Sequence, residues 1–300
     1  MKTFSEYNIN ACSSIKESVT PQYTLFPKDK NALKHMIEDE IEKCGEHVDL
    51  NHIDVSKITD FSELFKHSTF SGDISGWDVS NAVDMSDMFL SCREFDCDIS
   101  GWDVSNVTNM SYMFCGAESF NQDLSGWDVS NVINMGYMFD YTKSFNGDIS
   151  AWDVRNVTNM NHMFNNSAFN GNLKRWNTKN VEDMSCMFME SKFNQDISRW
   201  DVSNVTNMGG MFMESKFNQD ISKWNVSKVK SMCGMFQGCT SFNQDISEWN
   251  VSKVKNMKWM FEGAKSFNQD LSGWDVSNVT DMGSMFNDCP CPKEHQPKFK

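Results

Sequence analysis

The chain has 300 residues, a formal net charge of -14 at pH 7 and a sequence pI of about 4.8. This acidic balance argues against nucleic acid or an anionic membrane surface as the main partner, because like charges repel. No apolar run is long enough to span a bilayer and the N-terminal segment lacks the apolar core of a signal peptide, so we expect no membrane insertion and either a cytoplasmic location or export to the surface without a signal peptide.

A unit of 24 or 25 residues recurs from Ile53 to near the end of the chain. Ile53 opens a first, weaker copy, and the later copies open with Trp77, Trp102, Trp127, Trp152, Trp176, Trp200, Trp224, Trp249 and Trp274. A fixed period in this range is typical of a repeat array, in which one unit is too small to fold alone and stacked units share one core. We therefore predict a single repeat domain.

The sequence pattern divides the chain into four segments. They are a polar N-terminal tail (1–27), an N-terminal capping helix (28–52), the repeats (53–289) and a C-terminal tail rich in proline (290–300). The apolar face of the capping helix is formed by Leu33, Met36, Ile37, Ile41 and Cys44. Asp29 suits the start of this helix and Gly45 its end. A helix with a polar outer face would cover the first repeat.

Within each repeat, the pattern predicts one short strand and one short helix. In the segment Trp102–Ser105, Trp and Val alternate with Asp and Ser, which is typical of a strand that has one buried face. Thr108 is placed to cap a helix. The apolar residues that would share one face of this helix are Val107, Met110, Met113, Phe114 and Ala117. Stacking would align the strands in parallel, so we predict an α/β solenoid.

The repeat W-D-V-S-N-V-T-N-M-x-x-M-F, followed by S-F-N-Q-D-[IL]-S, resembles the BspA-like leucine-rich-repeat surface proteins over about residues 53–288. The resemblance implies a leucine-rich-repeat-like right-handed solenoid, here of about ten coils. It also implies adhesion or protein binding as the function. The sequence shows neither a signal peptide nor a lipobox cysteine after an apolar run. An intracellular structural or host-interaction scaffold without surface display is therefore the alternative function.

Two kinds of column, a column being the residues at the same position of successive repeats, could suggest metal sites. The Met columns, such as Met208 and Met211, could supply thioethers to copper, but their spacing favours core packing. The second column holds Asp73, Asp98, Asp123, Asp148, Asp196, Asp220, Asp245 and Asp270. One carboxylate per repeat is too few for calcium, so we favour Asx turns, in which each Asp accepts a backbone N–H.

The cysteines show no pairing pattern. Cys92, Cys239 and Cys289 share a column with Ala117 and Thr142, which indicates a small buried residue at this position. We therefore expect reduced thiols. A group formed by Cys289, Cys291 and His295 offers only three metal ligands in a tail rich in proline, and we do not predict a metal site there.

For catalysis the sequence offers little. The histidines share no column, and no P-loop, nucleophile elbow, HExxH or GxGxxG motif is present. Nearly every polar residue follows from the repetition itself. We therefore predict that the protein is not an enzyme and needs no cofactor.

A basic belt interrupts the acidic surface. Its residues flank Trp in four adjacent repeats, at positions predicted to point outward from the strands: Arg155, Arg175, Lys179, Arg199 and Lys223. Random drift of exposed positions is the alternative explanation. Because the changes cluster in consecutive repeats, we predict that the belt binds an acidic segment of a protein partner, with Arg175 and Arg199 making the directional contacts.

Overall fold

A computed structural model describes residues 23–299, so most of the predicted N-terminal tail lies outside the described residues. The described part contains one α-helix, α1 (Lys30–Cys44), and one short 3₁₀ helix (Lys293–His295), and it contains no β-strand. The remainder is a succession of turns and isolated bridges.

The predicted capping helix is present as α1. The Asp29 carboxylate accepts the N–H of Ala32 at 2.8 Å, and the N–H of Gly45 donates to Ile41, which confirms both predicted ends. Leu33 and Ile37 are buried against the first repeat. Cys44 is exposed, so its assignment to the buried face is wrong.

The repeats stack in register. Each is joined to the next by a single parallel bridge, and the bridged residues form one column: Asp60, Asp84, Asn109, Asn134, Asn159, Asp183, Asn207, Ser231, Asn256 and Asp281. One bridge per repeat is too short to count as a strand. Backbone pairing therefore links the repeats without forming a sheet in the described residues.

The predicted strand at Trp102–Ser105 is wrong. The Trp102 N–H donates to Ile99 at 3.1 Å, and the Ser105 N–H donates to the Asp103 carboxylate at 3.0 Å. These local turns take up N–H groups that a strand would pair with its neighbour. The apolar–polar alternation arises because Trp and Val point inward from two consecutive turns.

The predicted helix after Thr108 is also wrong. Successive backbone N–H groups alternate between a partner in the same repeat and one in the next repeat. The Met113 N–H donates to the Met110 carbonyl at 3.2 Å and closes a turn, whereas the Tyr112 N–H donates to the Gly136 carbonyl of the next repeat at 2.9 Å. Tyr112 has a φ of 59° and Gly116 a φ of 70°, both in the left-handed region, which an α-helix excludes.

The prediction of an α/β class, with a strand and a helix in every coil of a leucine-rich-repeat-like solenoid, is therefore contradicted. Two tandem turns per repeat give the helix-like spacing of apolar residues, and each repeat has left-handed residues at the same two positions. The burial prediction is correct, since Val107, Met110 and Met113 are fully buried.

The core consists of side-chain columns that run through the stack. Phe114 stacks on Phe139 of the next repeat with ring centroids 5.7 Å apart, and Trp127 on Trp152 at 6.5 Å. The indole N–H of each Trp that opens a repeat donates to a backbone carbonyl 27 or 28 residues earlier, as Trp152 does to Leu124 at 3.0 Å. Each buried Trp or Phe side chain removes more apolar surface from water than a smaller side chain of the core does.

The two ends of the stack differ. At the first repeat, α1 supplies the cover described above. At the last repeat, Met282 is 41% exposed although its equivalents are buried. The C-terminal segment packs on the end of the repeat opened by Trp249, because the Leu271 N–H donates to the His295 carbonyl at 2.8 Å.

Candidate functional site

All five residues of the basic belt are exposed, but they lie on turns and not on strands. Arg175, Arg199 and Lys223 each occupy the third position of a four-residue turn that the following Trp closes through its N–H, at 3.1 Å in each case. The predicted outward orientation is therefore confirmed, and the predicted strand face is not.

Arg155 and Lys179 belong to a second turn, which follows Trp. The Arg155 N–H donates to the Asp153 carboxylate at 3.2 Å, and the Lys179 N–H donates to the side-chain oxygen of Asn177 at 3.3 Å. Asparagines of the next repeat fix both turns from outside. Asn180 donates to the Arg155 carbonyl, and Asn204 to the Lys179 carbonyl, each at 2.7 Å.

The stacked indoles set the spacing of the belt. The ring centroids are 6.4 Å apart between Trp152 and Trp176, 6.3 Å between Trp176 and Trp200, and 6.5 Å between Trp200 and Trp224. Because each belt residue is within three residues of one of these buried rings, the belt has a fixed backbone platform with one step per repeat.

The belt cations differ in how far their charge is neutralised. Arg155 forms an ion pair with Asp153 at 2.6 Å, and the hydrogen bond from Arg155 lowers the pKa of the Asp153 carboxyl. Within residues 23–299, the side chains of the other four belt residues form no ion pair: Arg175, Lys179, Arg199 and Lys223. These four are therefore available to an external anion.

Acidic residues beside the belt are engaged elsewhere. Lys174 pairs with Asp196 at 2.6 Å, and the hydrogen bond from Lys174 is the largest of the causes that hold the pKa of Asp196 well below its ordinary value. The pKa of Asp201 is lowered first by its hydrogen bond with Ser203 and further by the charges of Lys179 and Lys228.

A second group of cations, the four-lysine cluster, was missed by the sequence reasoning. It lies in two adjacent repeats and comprises Lys228, Lys230, Lys253 and Lys255, all exposed. Lys228 Nζ donates to Asn204 Oδ1 at 2.6 Å, so the cluster begins beside Lys179, whose carbonyl accepts from the same Asn204. The sequence does contain a sign of this cluster, because Lys replaces both the Asn and the Thr of the segment V-S-N-V-T in these two repeats. These positions lie outside the predicted strand face, where the basic residues were sought.

The Asp column forms Asx turns, as predicted. Each carboxylate accepts the N–H of the residue two positions later, at 2.8–3.0 Å, as Asp123 does from Ser125. These bonds to the charged form lower the pKa of the Asp123 carboxyl and of its equivalents. The carboxylates thus have a structural role at a corner of every repeat.

No disulfide joins the cysteines of residues 23–299, and the reduced state of the thiols stays a prediction; Cys12 lies outside the described residues. Cys92 and Cys239 are fully buried, as their column requires. In the C-terminal segment, Cys289, Cys291 and His295 contact three different backbone carbonyls of the preceding repeat, so the structure does not bring them together around one ion.

With 15 residues and a charged outer face, α1 is too short and too polar to cross a bilayer, and no other helix in residues 23–299 qualifies.

None of the curated proteins and none of the solved structures compared with the chain matches it. One family model matches three overlapping stretches, 31–152, 122–216 and 189–298, which confirms a repeat family; the BspA-like assignment stays a prediction. The chain belongs to the family described as Mycoplasma protein of unknown function, DUF285.

Proposed function

We propose that this protein is a non-enzymatic scaffold that binds a protein partner through an acidic segment docked on the basic belt. The observation that carries the proposal is a group of four exposed cations in consecutive repeats that form no ion pair with any residue of 23–299, in a chain whose net charge is -14. Such a group on an acidic protein attracts an acidic segment while the surrounding surface repels other acidic proteins.

The rigid setting of the belt supports this function. Its turns are closed by backbone bonds and are anchored by buried indoles, so the backbone positions of the cations need no ordering when a partner binds. Arg175 and Arg199 can each bind a carboxylate through two parallel N–H groups, which gives direction as well as attraction. The four-lysine cluster extends the same surface towards the C-terminal repeats.

The BspA-like resemblance supports the class of function, protein binding or adhesion. Whether the scaffold is displayed at a surface is a separate question. Surface protease treatment of intact native cells, followed by fractionation, distinguishes surface display from the intracellular alternative.

The test is a triple charge reversal, Arg175→Glu, Lys179→Glu and Arg199→Glu. We expect the melting temperature to remain nearly unchanged, because the side chains are exposed, and binding of a labelled Glu-rich peptide and of the native partner to be lost. A peptide with Gln in place of Glu shows how much of the binding depends on charge. Raising the salt from about 50 mM to about 300 mM should weaken wild-type binding, since exposed charges are screened.

A matched control makes the test specific. Lys192→Glu, Lys216→Glu and Lys265→Glu change the net charge by the same amount at exposed positions away from the belt. We expect this control to keep most of the binding. Equal binding by the folded belt variant and the control would remove the belt as the site.

A further inference from the structure

The four-lysine cluster replaces side chains that have a structural role in other repeats. In seven repeats, the position of Lys228 and Lys253 holds an Asn whose side-chain N–H donates to a carbonyl of the preceding repeat at 2.7–2.9 Å, as Asn106 does to Ser80. Within residues 23–299 neither lysine makes this bond; Lys228 Nζ donates to the Asn204 side chain instead. Two bonds between repeats are therefore missing where these lysines stand.

The position two residues later changes in the same two repeats. Elsewhere it holds Thr in several repeats, and the hydroxyl donates to a carbonyl of the preceding repeat at 3.1–3.4 Å from Thr108, Thr158, Thr206 and Thr280. Lys230 and Lys255 have no hydroxyl for this bond. Val83 and Ile133 show that this column alone varies. Replacement of both positions by Lys occurs in these two adjacent repeats alone, which favours selection for positive charge over random drift.

The backbone holds the four exposed lysines close together. The Lys255 N–H donates to the Lys230 carbonyl at 2.9 Å, so these two residues are direct neighbours in the stack. A fully buried valine, Val229 or Val254, lies between the two lysines of each repeat. Each pair therefore flanks a buried anchor, and the two pairs lie one repeat step apart.

The charge of the cluster is not neutralised by the part of the chain that the structure describes. None of its four lysines takes part in an ion pair there. Asp201 is close enough to respond to this charge: its pKa is lowered first by its hydrogen bond with Ser203 and further by the charges of Lys179 and Lys228. Its carboxylate accepts the Ser203 N–H at 3.0 Å. The cluster is therefore available to an external anion.

The composition of the cluster indicates which anion it fits. The belt contains Arg175 and Arg199, whose planar fork matches a carboxylate, whereas the cluster consists of Lys alone. A phosphate monoester carries about -1.5 to -2 charges at pH 7 and three acceptor oxygens, so several ammonium groups can bind it at once. A carboxylate carries a single charge, which one cation neutralises. Four clustered lysines therefore suit a phosphoryl group better.

The surroundings of the cluster favour a peptide segment over an anionic membrane. A membrane would also face the acidic surface of a chain whose net charge is -14, and this surface repels it, whereas a segment contacts the cluster alone. The cluster is also next to the belt, because Asn204 accepts from Lys228 Nζ and donates to the Lys179 carbonyl. A segment bound to the belt therefore reaches the cluster.

We propose that the four-lysine cluster binds a phosphorylated side chain in the acidic segment of the partner. This role rests on the proposed function and adds a specificity to it, since phosphorylation of the partner strengthens its binding. The phosphoryl oxygens accept N–H bonds from the ammonium groups of two or more lysines. The belt binds the carboxylates of the same segment.

The test compares three Glu-rich peptides that differ at one site, which holds serine, phosphoserine or glutamate. Binding to the full chain is measured by fluorescence anisotropy. We expect the phosphoserine peptide to bind at least about tenfold more tightly than the serine peptide, and the glutamate peptide to gain much less, because a carboxylate has one charge and two oxygens. Equal affinities of the serine and phosphoserine peptides would overturn the proposal, as would an equal gain from glutamate.

A variant that restores the repeat pattern locates the site. It carries Lys228→Asn, Lys230→Thr, Lys253→Asn and Lys255→Thr. Because the stack accepts Asn and Thr at these positions in other repeats, the melting temperature should be at least that of the parent, while the gain from phosphoserine should disappear. A control with the same change of net charge at exposed positions outside the cluster carries Lys57→Asn, Lys192→Asn, Lys216→Asn and Lys265→Asn. The control should keep the gain, and a folded pattern-restoring variant that also keeps it would contradict the proposal.

Two further measurements separate this site from the belt and from a lipid site. The belt triple charge reversal should weaken the binding of both the serine and the phosphoserine peptide but preserve the ratio of their affinities. Failure of the serine peptide to bind, with phosphoserine binding retained through the cluster, would refute the belt and support the cluster. Vesicles of phosphatidylcholine with phosphatidic acid test the lipid source. Vesicle binding that the pattern-restoring variant loses, together with equal affinities for the two peptides, would assign the cluster to a lipid headgroup and overturn the proposal.

Discussion

Each tryptophan of the repeat contributes to the stack through its buried ring and through its indole N–H. Trp152 is 3% exposed, and its Nε1 donates to the carbonyl of Leu124, 28 residues earlier in the chain. Trp152→Ala should lower the free energy of unfolding by about 3–5 kcal/mol, as large core truncations do. Urea denaturation measures this loss. Trp152→Phe, which keeps a ring and loses the N–H, should cost less, and a Trp152→Ala variant as stable as the parent would show that the column is not core.

Left-handed residues limit which side chains the turns can carry. Gly116 has a φ of 70°, and a Cβ at this position would lie 3.4 Å from Ser91 Oγ. Gly116→Ala should therefore lower the free energy of unfolding by about 1–2 kcal/mol, the cost of the left-handed conformation for a residue with a Cβ.

Gly101 provides the control for this substitution. It has no left-handed φ and nothing within 4 Å of an added Cβ, so Gly101→Ala should be nearly neutral. Equal effects of the two substitutions in urea denaturation would contradict the assigned backbone conformation.

At the scale of the element, the sequence predicts α1 and the buried positions well but not the backbone of the repeat. The spacing of Val107, Met110 and Met113 fits both a helix and two tandem turns. Glycine would have revealed the left-handed positions, but Tyr112, His162 and Trp259 occupy them in several repeats. Local pattern therefore identified the inward side chains, while the pairing between repeats decided the backbone conformation.

Far-ultraviolet circular dichroism tests whether each repeat contains turns in place of the predicted helix. We expect a helical signal no larger than α1 can give, because the residues after each Thr column form turns. A helical content equivalent to one short helix in every repeat would contradict the turn conformation. Met36→Pro, which disrupts α1 by removing a backbone donor, should abolish most of the helical signal that is present.

The candidate site was predictable in part. The five belt residues stood out because they depart from an otherwise acidic repeat, and exposure follows from their place beside a buried Trp. The four-lysine cluster was not predicted, because its positions are not among those that the predicted strand would point outward.

At the scale of the whole molecule, stacking places equivalent positions of successive repeats side by side. Substitutions at these positions in several repeats therefore form one continuous surface. Belt cations one repeat step apart in the stack, such as Arg175 and Arg199, are 24 residues apart along the chain. Stacking through Trp and Phe columns fixes these residues relative to one another, so the charge pattern is a property of the array and not of one unit.

The proposed function depends most directly on where an acidic segment contacts this array. The decisive measurement is photo-crosslinking of a Glu-rich peptide to the full chain, with the crosslinked residues identified by mass spectrometry. We predict crosslinks confined to the repeats that begin at Trp152, Trp176, Trp200 and Trp224, around Arg175 and Arg199, and their loss at high salt. Crosslinks spread over all repeats, or concentrated away from the belt, would contradict the proposed function.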